Sequence, residues 1–170
     1  ALKKRAVEVY NAGVKSGNAA QLRDAKQKAL ADLSAALESY GNSLELLKNA
    51  SAESIADPAN YKINLFNAAD GGRDAVRLMV LIESIDPERT ETAKKLIEEY
   101  VKAEADKNKQ GEALASLASY LFSGGDFDGS VAAYRKAYEY APKDPEVLGK
   151  YSLALYTAWE LNQDDALQTE

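Results

Sequence analysis

GEALASLASYLFSGGDFDGSVAAYRKAYEYAPKD, residues 111–144, is the stretch of sequence on which the fold turns. Leu114, Leu117, Ala118 and Leu121 recur at steps of three and four, the period of one helix face, and Tyr134 and Ala137 repeat it further on. Between the two sets, Gly124-Gly125 supplies the permissive backbone that a chain reversal needs. Asp128-Gly129 falls inside the helical pattern and is no hairpin signal. The stretch therefore predicts helices over 111–123 and 127–141. A connection this short makes them pack antiparallel.

The same spacing extends in both directions, with no sustained apolar/polar alternation of the kind strands show. Three of the four prolines follow aspartate, at Asp57-Pro58, Asp86-Pro87 and Asp144-Pro145. Each pair reads as a helix N-cap followed by a first-turn proline: the carboxylate accepts an orphan backbone N–H, and proline has none to lose. Gly71-Gly72 reads as a second glycine turn. Helices are accordingly expected at about 3–16, 19–49, 59–69, 73–85, 87–108, 111–123, 127–141 and 145–160. In the long second helix, Leu22, Lys26, Ala29, Leu33, Leu37, Tyr40, Leu44 and Leu47 form a seam like that of a coiled coil, expected to pack on its neighbours within the chain. Gly41-Asn42 marks a point where that helix could break or bend.

Residues 111–144 resemble one tetratricopeptide repeat along its length. Leu114, Leu117, Ala118 and Leu121 occupy the large, large, small and large slots of the family's first helix. Gly125-Asp126-Phe127-Asp128 is the turn, and Ser130, Tyr134, Ala137 and Pro142 fill the slots of the second. Ser130 stands where alanine is usual and Ala118 where glycine is common, changes that keep the volume small. Small residues let helix backbones approach while bulky ones fill the flanking grooves. Pro145 to Trp159 looks like the first helix of a further repeat, and Asn162-Gln163-Asp164-Asp165-Ala166 like the turn that follows it. The resemblance implies an all-α fold of antiparallel hairpins stacked as a right-handed α-solenoid. Residues 1–57 form an N-terminal hairpin with one long helix, 58–110 degenerate repeat-like helices, 111–144 a repeat, and 145–170 the start of an incomplete one. A solenoid needs its last apolar face covered, so continuation beyond Glu170 or cover by a partner is expected.

Composition narrows the function. Of 170 residues 46% are hydrophobic and 28% charged, enough to build a core and unlike a disordered chain. The net charge of −6 is uneven: 8 basic and 7 acidic residues over 1–57, 9 and 10 over 58–110, and 4 and 10 over 111–170. Such a balance opposes attraction to phosphate backbones and anionic lipid, and no apolar run approaches the roughly 20 residues that span a bilayer, so neither nucleic acid nor membrane insertion is expected. Nothing in the sequence assigns a compartment. With no histidine and no cysteine, the commonest general base and the usual zinc and copper ligands are missing. Asp126, Asp128, Asp164 and Asp165 fall in turns and read as helix caps. No phosphate-binding glycine loop occurs. Carboxylate-only catalysis is the remaining enzymatic reading and ranks last, with no cofactor and no metal expected.

What remains is surface. Tyrosine crowds the C-terminal third; Tyr134 and Tyr151 fall on packing slots, whereas Tyr120 and Tyr156 fall off them and are candidates for partner contact. The resemblance implies an inner groove lined by first helices, here Ser119 and Phe122, then Lys150 and Tyr156, with Phe122 and Tyr156 as apolar anchors. The Lys/Asn/Arg set of members that clamp a chaperone's C-terminal carboxylate is missing. Asn60, Asn64 and Asn67 share one helix face and can bond a peptide backbone, since each amide both donates and accepts. The expected function is a non-catalytic scaffold or adaptor that binds a protein segment within a multi-protein assembly. A subunit permanently buried in a larger complex is the alternative.

Overall fold

The computed structural model describes residues 1–162 and contains, among them, seven α-helices and no strand. They are α1 (Leu2–Lys15), α2 (Ala19–Lys48), α3 (Pro58–Leu81), α4 (Thr90–Ala103), α5 (Lys107–Ser123), α6 (Phe127–Tyr140) and α7 (Pro145–Asn162). Short 3-10 turns at Ala52–Ser54 and Pro87–Arg89 precede α3 and α4. Among the described residues no helix is long and apolar enough to cross a membrane. The chain divides into two compact units, Ala1–Ala103 and Glu104–Glu170.

Helix starts follow the capping chemistry. The Asp57 carboxylate accepts from the N–H groups of Ala59 and Asn60 at 2.9 and 3.1 Å, and Asp144 accepts from Glu146 at 2.9 Å. Asp86 accepts from Glu88 at 3.1 Å and opens the 3-10 turn that leads into α4. Three starts without proline obey the same rule: Asn18 caps α2, Asp106 caps α5 and Asp126 caps α6.

In the first unit, α1 packs on α2, α2 on α3 and α4, and α3 on α4. Its core gathers Leu33 and Leu37 of α2, Val76 and Met79 of α3, and Leu96 and Ile97 of α4. Several expected helix bounds differ in the structure. The helices foreseen at 59–69 and 73–85 are one helix, α3, and Gly71-Gly72 is no turn. Both glycines are buried mid-helix, where a Cβ at Gly71 would strike the Tyr40 ring and one at Gly72 would come within 2.6 Å of Leu96. They are glycine because neighbouring helices need the space. Nor does Gly41-Asn42 interrupt α2, which runs helical through both residues with Gly41 against Thr92 of α4. The helix foreseen at 87–108 ends at Ala103, and α5 begins four residues before the expected position 111.

In the second unit, α5 packs on α6, and α7 on α6 with lighter contact to α5. Ala118 and Ala137 are fully buried, and the buried Ser130 hydroxyl donates to the Ala118 carbonyl at 2.9 Å, drawing α6 onto α5. Helix α5 closes with Gly125 at φ 84°, its N–H donating to the Phe122 carbonyl and that of Asp126 to Leu121. That left-handed closure is the glycine turn expected at 124–125. The second turn expected at 162–166 lies, apart from Asn162 itself, outside the described residues.

Candidate partner-binding surfaces

Helix α7 is apolar around most of its circumference. Val147, Tyr151, Ala154, Leu155 and Ala158 are buried, as a helix seated on α6 requires, yet Leu148, Leu153, Tyr156 and Leu161 are all exposed. Tyr156 is 55% and Leu161 60% exposed. A surface helix ordinarily turns mainly polar residues outward; here the four apolar side chains share the exposed side with Glu146, Lys150 and Glu160. The Tyr156 ring stands 6.0 Å from that of Trp159, and its hydroxyl donates to Glu160 at 2.6 Å. The adjacent carboxylate pushes the phenol's pKa up, holding Tyr156 as a neutral donor.

The other expected contact residues divide. Lys150 is exposed and paired with Glu146 one turn earlier at 2.7 Å. Phe122 is half-buried, its ring edge-on to Phe127 at 5.3 Å, so part of its apolar surface is already used within the unit. Ser119 is half-buried and shares a 2.7 Å hydrogen bond with the Tyr134 hydroxyl. Burial raises the Tyr134 pKa, with Ser119 opposing, and the group is a packing residue as its slot implied. Tyr120 is a correction: expected at the surface, it is 1% exposed and among the largest fully buried side chains. Its ring is enclosed too completely to anchor a partner. Tyr151, a core residue as expected, stacks obliquely between Tyr134 and Tyr138 at 6.5 and 6.4 Å and accepts from Arg135.

On the first unit, Asn60, Asn64 and Asn67 are all exposed on the N-terminal half of α3. Asn60 also donates its side-chain amide to Asp57 at 2.7 Å, so part of its capacity serves the helix start. Beside this stripe lies a groove that the sequence reading missed, a cavity of about 490 Å³ lined by Leu44 of α2, Ile63, Leu65 and Phe66 of α3, and Ala103 at the end of α4. Lys62, Lys102 and Glu99 line it as well. The signal lay in Ile63, an apolar residue among the asparagines, whose partner positions on α2 and α4 only the tertiary fold supplies. No group of three or more carboxylates, histidines or cysteines placed to hold a metal ion occurs among the described residues.

Set against known proteins, the chain is matched by no family profile, no characterised protein and no solved structure.

Proposed function

We propose that this chain is a non-catalytic scaffold or adaptor, built on tetratricopeptide-like hairpins, that binds a protein segment within a larger assembly. The observation that carries the reading is the outer surface of α7: Leu148, Leu153, Tyr156 and Leu161 stay in water on a helix whose opposite side is already packed. Covering such side chains contributes roughly 25 cal/mol per Å² of apolar area removed from water, and an aromatic with a polar tip is the usual anchor at such a centre. Support for the repeat-like part comes from Ala118 and Ala137 at the α5–α6 crossing, where only small residues fit. The resemblance's solenoid is part of the same proposal.

A photo-crosslinking amino acid placed at Leu153 or Tyr156, with Gln27 on α2 as the control position, tests it in the native source. Discrete protein adducts at the two α7 positions and none at the control are expected. The absence of adducts from α7 would remove the reading.

The same exposed residues also suit the alternative, in which α7 is buried permanently against another subunit. Sedimentation separates the two: a monodisperse, cooperatively melting monomer supports reversible docking, and obligate burial predicts aggregation of the isolated chain.

A further inference from the structure

The groove on the first unit bears on which segments the chain accepts. Its floor is hydrocarbon: Leu44 is buried at the base, Phe66 leans on the Tyr100 ring at 5.7 Å, and Ile63 is 54% exposed at the mouth. Single apolar residues on a surface are ordinary, but several converging on one concavity mark a binding site.

The rim is cationic. Glu99 accepts from both Lys48 and Lys102 at 2.8 Å, so one carboxylate is shared by two ammonium groups. Those hydrogen bonds, from Lys102 first and then Lys48, hold the Glu99 pKa below its ordinary value, and it stays charged. Lys62, on the α3 side, makes no ion pair among the described residues. Of the charged residues that line the groove, Lys62 and Lys102 against Glu99 leave one positive charge in excess beside an apolar floor, and Lys62 is the lysine that no carboxylate among the described residues engages.

We propose that this groove binds a short protein segment carrying an aliphatic or aromatic side chain flanked by aspartate or glutamate. The apolar side chain fills the space over Ile63, Phe66 and Leu44, and the carboxylates meet Lys62 and Lys102. A peptide suits the site better than an acyl chain, because Asn60 and Asn67 stand one turn on either side of Ile63 on the same face of α3. Their amides can bond a peptide backbone, for which an acyl chain has no counterpart. The inference rests on the reading that the chain docks protein segments, and it adds a second site, of stated chemistry, within residues 1–103.

The test is selection of random peptides displayed on phage, with the whole chain as bait, followed by binding of the labelled consensus peptide to two variants, the Lys62→Glu/Ile63→Asp double variant and Tyr156→Asp. Lys62→Glu and Ile63→Asp alter exposed side chains, so both should fold, as circular dichroism will verify. Expected are peptides rich in Leu, Ile or Phe beside Asp or Glu. Their affinity should fall about tenfold or more in the Lys62→Glu/Ile63→Asp double variant, fall with added salt, and be unchanged in Tyr156→Asp. Enrichment of basic peptides, or affinity indifferent to the double variant, would overturn the proposal. Loss of binding in Tyr156→Asp alone would move the site to α7, sinking the groove but sparing the docking function. If no peptide is enriched, both fall; a labelled fatty acid that binds wild type and not the double variant would then make the groove an amphiphile site.

Discussion

At Ser130 and Gly72 the fold depends on what a side chain does not occupy. Ser130 is fully buried between α6 and α5, where its hydroxyl reaches the Ala118 carbonyl. Ser130→Ala removes one hydrogen bond but leaves the carbonyl its helical donor, so the loss should be only about 0.5–1.5 kcal/mol. Ser130→Val adds volume where two backbones already touch and should cost about 1–3 kcal/mol. Urea unfolding of both variants checks the order, and a Val variant as stable as the Ala one would show that the crossing is not tight. Gly72 poses the sharper contrast. In an open helix Gly→Ala gains up to about 1 kcal/mol of propensity. Here the new methyl would sit 2.6 to 2.9 Å from the fully buried side chain of Leu96. Overpacking of about 1–3 kcal/mol then outweighs the gain, so Gly72→Ala should lower the unfolding midpoint.

At the scale of the element, helix starts were legible because they are local: Asp57, Asp86 and Asp144 announce themselves through the proline that follows, and each does accept backbone N–H groups. Helix continuity was not legible, because a paired glycine has the same local meaning in a turn and at a close crossing. Only Tyr40 and Leu96, 31 and 24 residues away from their respective glycines, tell the cases apart. The candidate contacts divide for the same reason. Tyr156 is exposed as its place on the repeat pattern implied, but the burial of Tyr120 depends on packing that its own helix does not reveal. The end of α3 adds a further case, since Glu83 takes the left-handed position with φ 52°, normally glycine's, while Ser84 donates to the Met79 carbonyl. Its carboxylate is bonded to Lys26 at 2.8 Å but is largely in solvent, so that pair contributes little. Glu83→Gly relieves the backbone strain and should raise the melting temperature by a few degrees, read by circular dichroism.

At the scale of the whole molecule, charge distinguishes the two units. Residues 1–103 carry 15 basic and 15 acidic residues, and residues 104–170 carry 6 and 12. The neutral unit uses its charges between helices: Arg5 with Asp32 joins α1 to α2, Lys3 with Asp74 joins α1 to α3, and Lys48 with Glu99 joins α2 to α4. Burial opposes the Asp74 charge, yet hydrogen bonds from Lys3 and Arg77 prevail and hold its carboxyl below the usual range. Arg5 does the same for Asp32. A depressed folded pKa contributes stability that is fully present above the unfolded value of about 4 and is lost as pH falls through the folded one. In the acidic unit, protonation also relieves self-repulsion, an opposite effect. Acid should therefore unfold residues 1–103 first. The single tryptophan, Trp159, lies in α7 and reports on the other unit. On titration below pH ~4, far-ultraviolet circular dichroism should fall before Trp159 fluorescence shifts. Asp74→Asn should be less stable than wild type at neutral pH and should converge with it in acid. Coincident transitions, or a stability gap that widens as pH falls, would contradict the assignment of acid sensitivity to these interhelical carboxylates.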